Sequence, residues 1–253
     1  MPVRMPAEGP FLQVDWDAPD GVSALMTTRM GGHSEGPWQG LNLGDHVGDD
    51  PLAVARNRHD LSAAVGCEVA WLRQVHGCVV VPARTAVHVA PEADASWTDA
   101  PGVACAVLVA DCLPVLLAAE NGQAVSAVHA GWRGLCAGVI EAAAVRVARA
   151  AACKTDELVA WLGPCIGPQA FEVGPEVVQA LGGGEAFRPT TSSRRTDRSL
   201  ADLPQLARQR LERLGIRRVA GGTECTVSQP ARYYSYRRDG VTGRMAAAVW
   251  LKR

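Results

Sequence analysis

Asn121-Gly122 lies between two apolar runs in the stretch ADCLPVLLAAENGQAVSAVHAGWRG, residues 110 to 134, and no other stretch constrains the chain's pairing as tightly. Asn-Gly between apolar runs is the strongest short-range hairpin signal, because a type I′ turn needs positive φ at both central residues. Residues 114–120 and 123–130 are therefore expected as adjacent antiparallel strands. A two-residue turn places Ala119 opposite Ala124 and Pro114 opposite His129. Cys112 is then the diagonal neighbour of His129 and shares its face, since side chains alternate with period two. The diagonal separation of about 7–8 Å between backbone positions suits two ligands of one metal ion. Pro114 cannot donate to a ladder and marks a strand start, an edge or a bulge, which puts Cys112 on a bend.

The chain around this hairpin has 253 residues, 48% of them hydrophobic and 20% charged, which is enough for a substantial core. Residues 1–253 are read as one domain, since no linker is clean enough to cut them and no internal repeat is visible. A formal net charge of −1 with interspersed signs leaves no footprint for nucleic acid or an anionic membrane, so small molecules are the expected ligands. The apolar run 103–119 contains Asp111 and Pro114 and is short for a membrane span, so a buried strand pair is expected. The first residues, MPVRMPAEGP, lack the apolar core of a signal peptide, and the eight cysteines include no C-x-x-C pair. Both features point to a reducing cytoplasm.

Further elements follow from local signals. Residues 22–28 form a strand candidate leading into a polar, Gly-rich loop whose Arg29, His33, Asn42 and His46 are candidate site residues. Asp50 caps an expected helix with Pro51 at its first position, Leu52, Val54, Leu61 and Val65 on its apolar side, and Gly66 at its end. His59 on it is a surface residue. Residues 69–75 and 78–81 read as strands separated by His76-Gly77, and 94–98 as another, with Asp94 a cap or a partner of a site residue. One helix is expected over 134–153, with Arg133 at an N-terminus able to hold an anion such as phosphate. Later elements are strands at 158–162, 223–227 and 245–251, a short helix near 176–181, a flexible stretch at 182–199 and an amphipathic helix at 200–214. Arg237, Arg238 and Arg244 are candidate anion ligands or members of a salt-bridged loop. Neither a dinucleotide fingerprint nor a P-loop is present.

Two imidazoles and a thiolate, His76, Cys112 and His129, suit zinc, and three protein ligands leave a fourth position for water or substrate. Their spacing matches no compact zinc-finger pattern, so spacing alone leaves open a Cys112 that merely packs as a small hydrophobe. Cys105 and Cys165 are the further thiols that would close a purely structural site.

LRQVHG around His76, ADCLPVLL around Cys112 and AVHAGWRG around His129 resemble the three signatures of the YfiH family, also called laccase-domain, DUF152 or peptidoglycan editing factor proteins. TTRMGG, GLNLGDHVGDD, ADASWT, GPCIGPQAFEVG and SYRRDGVTGR resemble its other blocks in the same order. The resemblance implies an α+β fold of αββα layers with mixed β-sheets, similar to cysteine deamidase toxins. It implies a cytosolic zinc enzyme with His76, Cys112 and His129 as metal and catalytic residues, and Arg29 and Asn42 as substrate candidates. Phosphorolysis of adenosine, inosine and methylthioadenosine, together with adenosine deamination, is the implied activity, which makes purine nucleoside and phosphate the partners. Gln169 stands where many relatives look Cys-like, which weakens any role for that position in metal binding.

Asp111, next to Cys112, falls on the opposite strand face and is expected to be structural rather than a proton donor. Three other chemistries fit parts of the pattern. A copper polyphenol oxidase would use the two His and one Cys, but the six histidines include no H-x-H pair of the kind that builds a trinuclear cluster. A cysteine hydrolase would use Cys112 as nucleophile and His129 as base. A structural zinc protein would need a fourth protein ligand.

Overall fold

The computed structural model describes residues 9–190 and 197–252. In chain order its elements are β1 (Phe11–Gln13), β2 (Val22–Thr27), α1 (Pro51–Val65), β3 (Glu68–Ala70), β4 (Val80–Pro82), β5 (Ala95–Thr98), β6 (Val103–Val109), β7 (Leu113–Ala119) and β8 (Val125–Ala130). They continue with α2 (Trp132–Ala137), α3 (Val139–Ala150), β9 (Leu158–Leu162), β10 (Glu172–Val173), α4 (Pro175–Ala180), β11 (Phe187–Pro189) and β12 (Ser199–Ala201). Last come α5 (Leu203–Arg213), β13 (Arg218–Gly221), α6 (Tyr236–Asp239) and β14 (Met245–Leu251).

One mixed sheet runs β1-β2-β14-β6-β3 and a second runs β13-β9-β7-β8-β5-β4. Their inner faces meet through Met26, Val107, Met245 and Val249 on one side and Leu116, Ala118, Val125 and Ala127 on the other. The outer face of the first sheet packs Leu25, Ala106 and Leu108 on Leu61 and Val65 of α1. That of the second packs Val115, Leu117 and Val128 on Ile140 and Val147 of α3 and Leu206 of α5. The αββα layering is therefore present, and it explains the sequence pattern. Strands covered on both faces read as continuous apolar runs, and all seven residues of β7 are buried. Truncating one of them, Leu116→Ala, would cost about 2–5 kcal/mol.

The hairpin register is the expected one, with Pro114 opposite His129 and the Ala119 amide donating to the Ala124 carbonyl across the end. Its turn is not. The Gly122 amide bonds the Ala119 carbonyl, Gly122 has φ +70°, and Asn121 is absent from the residues with positive φ, so the connection is a four-residue loop rather than a type I′ turn. The register survives because both loops are centred on the same point. β6 and β7, read as a strand pair, belong to different sheets.

Other expectations are corrected in detail. On α1 the buried stripe is Ala53, Asn57, Leu61 and Val65 at four-residue spacing, with Val54 beside it. Leu52 lies off that stripe and is 67% exposed. The strand expected at 69–75 ends at Ala70, because the Gln74 side-chain amide bonds both the amide and carbonyl of Leu108 and replaces the main-chain ladder there. The helix expected at 134–153 is broken at Gly138, whose φ of +82° ends α2 and starts α3. Thr223–Val227 is not a strand. Gly221 and Gly222, both left-handed, turn the chain away after β13, and Cys225 keeps a single bridge to Cys165. The stretch at 182–199 contributes β11 and β12 to a small antiparallel sheet with β10, while residues 191–196 lie outside the described residues. The helix expected from Leu200 begins at Leu203, capped by Asp202. Among the described residues no helix is long and apolar enough to cross a membrane.

Candidate metal and active centre

The hairpin brings Cys112 and His129 to one face, as its register requires, and the turn between β3 and β4 delivers His76. The ligand atoms of His76, Cys112 and His129 all lie within 4.8 Å of one another. Cys112 Sγ is 3.8 Å from His76 Nε2, and the two imidazoles meet edge to face with centroids 4.8 Å apart. Cys112 sits on a bend, for Asp111 before it takes φ +90°. Gly131, opposite, has to be bare: an added Cβ would fall 2.9 Å from Cys112 Sγ and 3.1 Å from His76 Cδ2.

One buried carboxylate ties the centre together. Asp94 accepts a hydrogen bond from His129 Nδ1 at 2.8 Å, from the His76 amide at 2.9 Å, from the Gly77 amide at 2.7 Å and from the Val75 amide at 3.3 Å. His76 has φ +60°, which costs a non-glycine residue on the order of 1 kcal/mol, and these bonds hold it there. Because His129 Nδ1 donates to Asp94, its Nε2 is left for a metal or a proton. Burial would raise the Asp94 pKa, but the hydrogen bond from His129 and those from the backbone outweigh it and the pKa falls below its ordinary value.

Electrostatics favour a charged pair. Burial opposes the Cys112 thiolate, yet the His129 charge and the hydrogen bonds from both imidazoles bring the thiol down to about 6. Burial likewise opposes the His129 imidazolium, and the Cys112 charge with the Asp94 hydrogen bond raises it to about 9. A thiolate is the form that binds a metal; Cys112 Sγ and His76 Nε2, 3.8 Å apart, are near the spacing around a tetrahedral ion, and all three donor atoms lie within 4.8 Å. The donor set therefore fits zinc, with small adjustments of the side chains.

A cavity of about 400 Å³ opens on this centre, lined by His46, Gln74, Leu108, Val109, Tyr236 and Arg244 besides His76, Cys112 and His129. Cys105 and Cys165 do not join the cluster among the described residues. Both are buried, and burial pushes Cys105 to about 12 and Cys165 well above its ordinary value. Asp111 is structural, as expected, accepting from Thr226 Oγ1 and from the Arg237 amide.

Arg29, Asn42 and Arg133 are not brought to the cavity. Arg29 stacks on Tyr234, bonds the Pro230 carbonyl and lines a separate cleft of about 510 Å³. Asn42 is fully buried, its oxygen accepting the amides of Gly44 and Arg244 and its nitrogen donating to Asp49 and the Gly44 carbonyl. Arg133 is exposed and lies over Trp132. Of the loop histidines, His46 lines the cavity while His33 pairs with Asp60. Arg237 spends its guanidinium on the carbonyls of Ala170 and Glu172, and Arg238 on Asp239 and the carbonyls of Thr226 and Tyr233.

Residues 23–252 match the family model described as multi-copper polyphenol oxidoreductase laccase. A Pseudomonas aeruginosa protein called a purine nucleoside phosphorylase is 49% identical over 244 residues, covering 96% of this chain and 98% of its own length. The Escherichia coli K12 protein called purine nucleoside phosphorylase YfiH is 46% identical over 238 residues, covering 93% and 96%. The crystal structure of a Neisseria meningitidis DUF152 protein, 47% identical, matches with a TM-score of 0.90 over 97% of this chain and 100% of that one. That of YlmD from Geobacillus stearothermophilus matches at 0.90 with 28% identity, over 98% of each chain.

Proposed function

The chain belongs to the laccase-domain family, also known as YfiH or DUF152, and on that premise we propose that it is a cytoplasmic enzyme splitting purine nucleosides with phosphate at the His76, Cys112 and His129 centre. The products are the free base and ribose 1-phosphate, with adenosine deamination as a second activity of the same centre. The observation that carries the reading is the convergence of the three donor atoms on one cavity in a chain whose relatives are called purine nucleoside phosphorylases.

His76, Cys112 and His129 would hold zinc, or copper where copper is at hand. The ion supplies Lewis acidity, able to polarise a leaving group or to acidify water. The remaining chemistry belongs to the chain. Asp94 keeps His129 Nδ1 protonated and its ring fixed, so that Nε2 faces the cavity. Leu108 and Val109 form an apolar wall that strengthens electrostatic contacts by excluding water. His46, at the rim, is placed to give a proton to a departing purine.

Bound metal and the products from adenosine, with and without phosphate, test the reading. Adenine with ribose 1-phosphate, dependent on phosphate and lost in Cys112→Ala and His76→Ala, supports it. No phosphate-dependent product from any purine nucleoside overturns it, and inosine alone moves the assignment to deamination. The Cys112 and His129 charge pair favours one other reading, a cysteine hydrolase that works without metal. A chelator that abolishes turnover excludes that reading.

A further inference from the structure

Among the described residues six arginines sit in ion pairs, Arg58 with Asp45, Arg73 with Glu92, Arg210 with Glu141, Arg218 with Glu120, Arg232 with Glu224 and Arg238 with Asp239. Arg244 is not one of them, and unlike Arg29, Arg133 and Arg237 it faces the cavity of the His76, Cys112 and His129 centre. It is the one permanently cationic residue lining the cavity, and among the described residues no carboxylate lies within ion-pair distance of it. Its Nη1 donates to the carbonyls of Thr242 and Gly243, both at 3.0 Å, an arrangement that leaves donors of the planar fork for a ligand. Burial opposes the Arg244 charge, and Cys112 and Asp111 offset it only through space, with no ion pair, so an anion drawn into the cavity adds a direct partner.

The position is built, not accidental. Asn42 Oδ1 accepts the Arg244 amide at 2.8 Å, and the Leu43 amide donates to the Arg244 carbonyl at 3.0 Å. Gly44 leaves the path of the side chain clear, since a Cβ there would come 2.8 Å from Arg244 Cγ. Of the other polar liners, Gln74 is used on Leu108, and His46 stands 3.4 Å from Asp45. Tyr236 lies under the Arg244 guanidinium at 5.8 Å from its ring centre, and Cys112 is close enough for its charge to be felt at Arg244.

We infer that Arg244 holds the phosphate of the phosphorolysis reaction, with Asn42 and Gly44 as the residues that position it. The inference rests on the proposed function. In the step it serves, a phosphate oxygen forms a bond to the ribose C1′ while the bond from C1′ to the purine nitrogen breaks. The bonding pair leaves with the purine, which takes up a proton. Arg244 would bind the phosphate charge through charge-assisted hydrogen bonds throughout.

The test uses metal-loaded Arg244→Met and Arg244→Lys proteins beside the parent. Removing the fork is expected to raise KM for phosphate about 10- to 100-fold, with KM for the nucleoside moving much less and the lysine variant falling between. Inorganic phosphate without nucleoside should raise the Tm of the parent, and that shift should be lost in Arg244→Met. If the methionine variant does not fold, the lysine variant decides on the same two readouts. An unchanged KM for phosphate together with a retained Tm shift overturns the inference. A parent with no phosphate-dependent turnover overturns the proposed function instead, and in that case loss of the phosphate Tm shift in the variant still marks Arg244 as an anion ligand.

Discussion

Asp94→Asn is the most informative single change, since it alters no ligand and removes no volume. The carboxylate accepts from His129 Nδ1, His76, Gly77 and Val75, and the two oxygens share these four donors. Asparagine keeps one acceptor and turns the other into an NH2 group facing hydrogen-bond donors. At least one charge-assisted bond is lost and a donor is left unsatisfied in a fully buried position, a cost of about 2–4 kcal/mol. For a chain of this size that corresponds to a fall in Tm of roughly 4–16 °C in the metal-free protein. His129 also loses the partner that fixes its tautomer and orientation, which typically weakens metal binding about 10- to 100-fold. Zinc titration against a competing chelator reads the second effect and thermal melting of the metal-free protein reads the first. Zinc affinity within about twofold of the parent, in a protein that is folded, would refute the argument that Asp94 aims the ligands.

Cys112→Ala and His76→Ala should each abolish stoichiometric zinc binding and phosphate-dependent turnover, checked by metal analysis and product detection. Gly131→Ala inserts a methyl group 2.9 Å from Cys112 Sγ; overpacking of this kind costs about 1–3 kcal/mol and should weaken zinc binding while the circular dichroism spectrum stays that of the parent. In the metal-free protein the Cys112 contribution to stability is present above the thiol's ordinary 9.0 and is lost as pH falls through about 6, because the folded value is depressed. The His129 contribution is present below 6.5 and is lost as pH rises through about 9, because the folded value is raised. Denaturation across pH should therefore show the ion pair intact between about 6 and 9, and Cys112→Ser should flatten the acid limb. Thiolate absorbance in the metal-free protein should titrate near 6, whereas a midpoint near 9 would contradict the pairing.

The elements legible in the sequence were those set by local chemistry. Asp50-Pro51 and Gly66 bracket α1, β14 covers the residues expected, and the hairpin register follows from two apolar runs about a fixed centre. Turn type was not legible, since four-residue and two-residue loops on the same centre give the same pairing. Breaks made by glycine in the left-handed region, at Gly138 and at Gly221-Gly222, were hidden because periodicity and β-propensity continue across them. Cys112 and His129 were visible as a pair through that register. His76 was visible as a histidine at a strand-end turn that could complete the set, but nothing local joined it to the pair: the turn that carries it is held by Asp94, 18 residues on, and motif resemblance tied it to the other two. Arg244 sat among other arginines with nothing local to distinguish it. What sets it apart is the hydrogen bond to Asn42, across |i−j| of 202 residues.

The two walls of the cavity belong to different sheets. Cys112 and His129 are carried by the hairpin of β7 and β8, while Arg244 immediately precedes β14, and the sheets touch through Leu116, Val125, Met245 and Val249. The gap between thiolate and guanidinium therefore includes a spacing between layers, set by side-chain volume in the core, besides the bend at Asp111 and the Asn42 and Gly44 contacts that place the two side chains. Enlarging or trimming those core residues adjusts the separation of the two subsites as a shim adjusts two plates, so substrate reach in this architecture is tuned from beneath the active centre.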